Sequence, residues 1–197
     1  MTLTSAAILL FLVMDPLGNI LFFLTALTPV APERRRRVVI RELLIALAAM
    51  LAFLFAGEAA MHALGLGEPA LGVAGGVILI VIALRMIFPS REHPLEEPVQ
   101  AEPFIVPLAI PYVAGPSSMA TVMLLMSREP ARWPEWLAAV LLAWTACVPI
   151  ILAGDWLRRL LGERGLIAME RLMGMVLVAI AVQMLMTGIS QYLMPGH

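Results

Sequence analysis

The chain runs repeatedly through stretches too long and too apolar for the core of a soluble domain. Leu43–Gly57, Pro69–Leu84, Pro103–Ser127, Trp136–Gly154 and Leu172–Tyr192 hold no charged residue, and Leu3–Thr28 holds one, Asp15. A helix rises about 1.5 Å per residue, so roughly 20 apolar residues cross the hydrocarbon layer of a membrane. Composition agrees: 61% of the 197 residues are hydrophobic and mean hydropathy is +0.95, against about 45–50% apolar residues in a soluble domain. A chain this short has too little interior to hide the excess, so lipid must cover part of it. Lipid offers no hydrogen bonds, which leaves helices or closed barrels, and the alternation of barrel strands is absent. The reading is an all-α integral membrane protein with six spans. They lie at about Leu3–Thr28, Val38–His62 and Pro69–Phe88, between Glu102 and Arg128, between Glu135 and Asp155, and at about Leu172–Tyr192.

Several function classes fall away. The formal net charge is -1, so nucleic acid is not an implied partner. No G-x-x-x-x-G-K-[ST] loop is present to bind ATP. His62, His93 and His197 are scattered, so neither a metal site nor a cofactor is expected. Cys147 is the single cysteine and cannot form an intrachain disulfide. The N-terminus lacks the basic region of a cleaved signal peptide. An intramembrane enzyme would need Asp15 paired with Asp155, or Ser117 as nucleophile. No histidine lies in the interior of a span to act as base, and Asp155 is expected near the inner face, so no enzyme is expected.

The two halves resemble each other. Asp15-Pro16 falls opposite Gly115-Pro116, Phe55-Ala56-Gly57-Glu58 opposite Leu152-Ala153-Gly154-Asp155, and Leu64-Gly65 opposite Leu161-Gly162. Gly76–Ile80 falls opposite Gly174–Val178. The offset stays near one hundred residues throughout. Residues 1–90 are therefore read as one three-helix repeat, 91–103 as an acidic cytoplasmic linker, and 104–197 as a second repeat. Three helices is an odd number, so the second copy enters the membrane inverted, an architecture that recurs among secondary transporters.

The chemistry concentrates at two interruptions, in spans one and four. In Asp15-Pro16-Leu17-Gly18-Asn19, Pro16 removes a backbone donor and Gly18 permits unusual dihedrals. Asp15 and Asn19 are costly in lipid unless they face protein or water. Pro107, Pro111, Gly115 and Pro116 interrupt span four and are followed by Ser117, Ser118 and Thr121. Pro16, Pro111 and Pro116 are read as helix breaks. Asp15, Gly18, Asn19, Gly115, Ser117, Ser118 and Thr121 are read as lining a mid-membrane substrate cavity. Half-helix N-termini suit a carboxylate, the hydroxyls donate neutral hydrogen bonds, and Asp15 can face an ammonium, a proton or a sodium ion. A small zwitterion meets these demands, as would a small polyol or a cation. A purely local role, with Asp15 and Asn19 capping a half-helix, is the competing reading. Glu58, Asp155 and Arg85 lie at span ends, where solvation accounts for them. Gln183 is read as an interhelical hydrogen-bonding residue.

Asp15–Asn19, Ala74-Gly75-Gly76 running into Ala83–Pro89, Glu102–Pro111 and Ala114–Ser117 together resemble the MarC family of bacterial inner-membrane proteins across almost the whole chain. The resemblance implies six transmembrane helices, a multi-pass location in the inner membrane, and transport of small neutral amino acids such as glycine and alanine. Leu21 stands where the family pattern has proline and Tyr112 where it has an aliphatic residue. Both adjoin the expected cavity and bear on substrate identity.

The combined expectation is a secondary transporter of small solutes driven by a proton or sodium gradient. A non-transporting structural or regulatory membrane protein is the alternative. The bilayer is the one certain partner, and a homo-oligomer is compatible with the composition. Arginine count sets the orientation: eleven arginines fall on one side of the six spans and only Arg128 and Arg132 on the other. Basic residues stay cytoplasmic, so both termini are expected outside and Arg34–Arg37 inside, with Trp133 and Trp136 read as an outer aromatic belt and Trp156 as an inner one. A cysteine at position 35 should resist an impermeant thiol reagent added to intact cells; its labelling would reverse the assignment.

Overall fold

The computed structural model describes residues 1–65, 67–88 and 113–193. Every regular element among them is helical. In chain order these are α1 (Leu3–Met14), α2 (Pro16–Ala26), α3 (Pro32–Leu64), α4 (Glu68–Ile87), α5 (Pro116–Arg128), α6 (Trp133–Leu152) and α7 (Gly154–Leu193), with a 3-10 turn at Pro130–Arg132. Five stretches are long and apolar enough to cross a membrane: Leu3–Ile20, Pro32–Gly57, Pro69–Ile87, Pro130–Leu152 and Arg164–Leu193. The expected fourth span is seen only as α5, whose 13 residues reach about 20 Å and cannot cross alone. Its first half, with Pro107 and Pro111, and the linker 91–103 lie outside the described residues.

Proline marks the helix starts. Pro16, Pro69, Pro116 and Pro134 sit in the first turns of α2, α4, α5 and α6, where a missing N–H leaves no hydrogen bond unmade. Two boundaries differ from the sequence reading. Arg34–Arg37 are not a loop but the opening turns of α3, which begins at Pro32. The segment between spans five and six is not a loop either, because α7 begins at Gly154, two residues after α6 ends, and bends at Gly162 (φ 68°). Such a φ is open to glycine at little cost. Gly65, which follows α3, has φ 65°. Gly65 and Gly162 thus both take a positive φ.

The tightest packing joins α4 to α7. Gly72 faces the Cα of Gly188, while Gly76 lies against Ala181 and Leu185, and Gly174 against Ala83 and Ile87. The order of these contacts makes the two helices antiparallel. A Cβ on Gly76 would stand 2.9 Å from the Ala181 carbonyl oxygen, and one on Gly174 would stand 3.0 Å from the Ala83 carbonyl oxygen. The contacts are reciprocal at an offset of 98 (76 and 174, 83 and 181, 87 and 185). Small residues let backbones approach where lipid supplies no hydrophobic drive. Leu79, Ala83, Leu177 and Ala181 fill the seam, with Val13 of α1 against them. A larger cluster joins α1, α2, α3, α5 and α6. The large apolar side chains Ile8, Leu44, Phe55, Leu142, Met175 and Met186 point outward, as a lipid-facing surface requires.

Of the tryptophans read as membrane-interface anchors, Trp133 and Trp156 are exposed but Trp136 is buried. Its ring lies under Arg132 at 4.7 Å and its Nε1 donates to the Glu129 carbonyl at 3.0 Å. Arg132 in turn pairs with Glu129 and Glu135. The hydrogen bond from Arg132 holds the exposed Glu129 carboxyl below the usual carboxylate range. Gln183 bonds Thr187 on its own helix, exposed, and not a neighbouring one.

Filling the seam tests this arrangement. Gly76→Val and Gly174→Val should each cost about 1–3 kcal/mol through overpacking. Val77→Ala, on the exposed face beside the seam, should change stability by less than about 0.5 kcal/mol. Thermal unfolding of the detergent-purified variants reads the contrast.

Candidate functional site at two helix breaks

Pro16 creates a specific deficit. It has no N–H to give the Leu12 carbonyl, and the chain repairs the loss locally. Asp15 takes φ 43° and ψ 63° and is the one described non-glycine residue with positive φ. Asp tolerates that region because a short polar side chain bonds nearby backbone. Its N–H is shared between the Phe11 and Leu12 carbonyls, both at 3.2 Å, closing α1. Its carboxylate Oδ1 accepts from the Gly18 N–H at 3.2 Å, opening α2. Gly18 would normally have donated to Met14. The Met14 carbonyl is served instead by Asn19 Nδ2 at 2.9 Å. Gly18 is also sterically required, since a Cβ there would run into the Asp15 carboxylate and come within 2.8 Å of Met86 Cε from α4.

The start of α5 is built alike with weaker parts. Gly115 is extended (φ -68°, ψ 165°) and caps α5 without a side-chain bond. Ser118 Oγ reaches the Val113 carbonyl at 3.5 Å, five residues back, just as Asn19 reaches Met14. Thr121 Oγ1 donates to the Ser117 carbonyl at 2.8 Å. Asp15, Asn19, Ser117, Ser118 and Thr121 are all at most 8% exposed. Polar groups this deep are functional or strictly partnered.

α1 packs on α5; Met14, just before the α1–α2 break, and Val113–Ala114, just before α5, belong to one buried cluster with Leu10 and Val122. Cys147 of α6 and Glu170 of α7 lie within electrostatic reach of Asp15. These residues are buried, and shallow grooves on the described surface lie on the outer face of α3 from Arg37 to Ala48 and between α1 and α6. Pro111 and Tyr112 lie outside the described residues.

Sequence reading missed one buried acid. Glu42 is fully buried in α3, bonded through Oε1 to Arg41 at 2.8 Å, with Oε2 unpartnered. The signal was present. Val38, Val39, Leu43, Ala46 and Met50 form the inward stripe of α3, and Glu42 falls on that stripe at helical spacing. Met86, Cys147 and Glu170 gave no such signal, because only tertiary packing brings them to the break.

Comparison with known proteins follows the same outline. A model described as "MarC family integral membrane protein" matches residues 1–193. The UPF0056 inner membrane protein YhgN of Escherichia coli is 49% identical over 190 residues, covering 96% of each chain. A UPF0056 membrane protein of Buchnera aphidicola is 45% identical, covering 95% of this chain and 96% of its own. A relative from the archaeon Pyrococcus abyssi is 32% identical over 91% of this chain and 90% of its own. No solved structure matches.

The repair predicts how the break tolerates substitution. Asn19→Ala orphans the Met14 carbonyl and should destabilise by about 1–3 kcal/mol. Asp15→Asn, which still caps, should stay within about 0.5 kcal/mol of the parent, whereas Asp15→Ala should lose about 1 kcal/mol or more. Melting temperatures of the three purified variants check the ranking.

Proposed function

The chain belongs to the MarC family of integral membrane proteins, and on that footing we propose that it is a secondary transporter of small solutes, not an enzyme. Small neutral amino acids are the substrate class we assign, coupled to a proton or sodium gradient. One observation carries the reading. Two helices, α2 and α5, begin at related buried positions, and the chain keeps a carboxylate, an amide and three hydroxyls there at at most 8% exposure. A scaffold protein gains nothing from polar backbone at that depth, since continuous apolar helices bury better and cost less. The uncapped N-terminus of α5 suits a carboxylate. Asp15 suits an ammonium or a proton. A zwitterion is the ligand that uses both.

The architecture we infer is two inverted three-helix repeats. The reciprocal α4–α7 glycine contacts, the matched glycines 65 and 162 and the parallel repairs at Asn19 and Ser118 support it. α2 packs on α6 and α7, while α5 packs on α3 and α4, as a two-fold relation between the halves requires. The closed packing around the breaks corresponds to an occluded state, from which opposed rocking of the halves would open the site to either side. We assign the protein to the bacterial inner membrane, the location in the name of the E. coli relative, with both termini outside.

Asp15→Asn separates coupling from capping. It preserves the cap but removes ionisation, so it should fold, reach the membrane, and lose at least about 10-fold in gradient-driven accumulation of labelled alanine or glycine. Reconstituted vesicles at matched protein amount, compared from about pH 5 to about pH 8, provide the measurement. Accumulation and pH dependence equal to the parent would defeat the coupling role.

A further inference from the structure

The first two turns of α7 have no part in the transport proposal. Residues 154–161 are set apart from the rest of the helix, because Gly162 (φ 68°, ψ 172°) is non-helical and bends it. The stretch able to cross the membrane, Arg164–Leu193, starts beyond that bend. Within residues 154–161 the side chains segregate by kind. At about 100° per residue, Trp156, Leu160, Leu157 and Leu161 share one arc of about 140°. Arg158, Asp155 and Arg159 share the opposite arc, of about 100°. The bundle leaves the apolar arc uncovered. Trp156 is 60% exposed, Leu160 65% and Leu161 38%. At the root of the segment, Gly154 is buried against α2, where an added Cβ would come 3.3 Å from Ile20 Cγ2.

Two contacts fix the level of this segment. Trp144 Nε1 of α6 donates to the Leu43 carbonyl of α3 at 2.8 Å, and the Trp133 ring meets the Phe55 ring at 6.1 Å. Going back along α6 thus goes forward along α3, so the two helices are antiparallel. Continued past Trp144 at equal rise, this register sets Gly154 level with Glu33, where the run Arg34, Arg35, Arg36 and Arg37 begins. Four arginines in sequence are too costly for hydrocarbon and mark the headgroup level. The segment therefore leaves α6 where the bilayer meets water. Water is a poor neighbour for an exposed Trp and two exposed Leu on one arc. A second copy of the chain fits no better. Two turns, about 12 Å long, fall short of the roughly 800 Å² per partner of a stable interface.

We propose that residues 154–161 form an in-plane helix that docks on the lipid surface at the arginine-rich end of the bundle. Trp156, Leu157, Leu160 and Leu161 enter the boundary between headgroups and acyl chains, and Arg158 and Arg159 reach the lipid phosphates. Lipid is the one neighbour that is apolar below this level and anionic at it, which matches both arcs. Trp156 suits the boundary because its ring is apolar and its N–H is polar. The bend at Gly162 lets the chain turn from the surface into the span that follows. This docking is independent of what the protein transports.

Spin labels on the full-length protein test it. Trp156→Cys, Leu160→Cys, Arg158→Cys and Arg159→Cys are each made in a Cys147→Ala background, labelled, and reconstituted in vesicles of phosphatidylglycerol and phosphatidylethanolamine. Oxygen concentrates in lipid, whereas a nickel chelate stays in water. The ratio of oxygen to nickel collisions should be severalfold higher at 156 and 160 than at 158 and 159. Equal ratios with free nickel access at all four would place the segment in water and overturn the proposal. Shielding of 156 and 160 from both reagents would mean a protein cover, and would overturn it too. If Cys147→Ala fails to fold, native fluorescence replaces the labels. Phosphatidylglycerol brominated near its headgroup should quench the parent, and the quenched signal should fall in Trp156→Phe. Quenching unchanged by that substitution would also overturn the proposal.

Discussion

Everything in this structure follows from the rule that a backbone polar group in lipid must find its partner inside the protein. Pro16 violates that rule in the middle of a span, and the surrounding residues are chosen to repair it. Asp15 adopts a left-handed backbone, divides its N–H between two carbonyls and caps the next helix. Asn19 closes the remaining gap. Four choices within five residues, Asp15, Pro16, Gly18 and Asn19, serve one local purpose. A sequence with no use for the break would keep a straight helix. The repair is therefore the physical reason to look for function at that depth.

Packing then determines what surrounds the break. The α4–α7 seam is closed by glycines whose missing side chains admit backbone oxygens of the facing helix, and that closeness brings Met86 onto Gly18. α6 reaches both regions, with Cys147 within electrostatic reach of Asp15 and Trp144 bonded to the Leu43 carbonyl of α3. Among the described residues the buried polar side chains thus gather at the α1–α2 break, on the inward stripe of α3 and in the first turns of α5, within an otherwise apolar bundle.

Much of this was legible in the sequence, for identifiable reasons. Span positions follow from uninterrupted apolar runs, and the breaks follow from proline and glycine, whose backbone effects are local. The burial of Asp15, Asn19, Ser117, Ser118 and Thr121 follows from their place within those runs. Helix boundaries were read less well. Arginine excludes a segment from lipid but not from a helix, so Arg34–Arg37 continue α3 beyond the hydrocarbon, and α7 starts well before its apolar stretch. Glu42 was overlooked because the uncharged centre of the span was taken to begin at Leu43, one residue after it. The inward stripe of α3 shows that periodicity, not the charge-free window, was the better guide there. Trp136 was read as an interfacial anchor, but Arg132 and the Glu129 carbonyl draw it inside. No local pattern announces that contact.

The central claim is that the level holding the two breaks passes a small zwitterion. Entrance counterflow tests it without assuming a driving ion. Vesicles containing the purified parent protein are loaded with unlabelled alanine and diluted into a trace of labelled alanine, beside protein-free vesicles treated identically. The account predicts a transient internal excess of label that then decays, strongest for alanine and glycine and absent for charged amino acids. Label uptake indistinguishable from protein-free vesicles, for every small neutral amino acid tried, would contradict it.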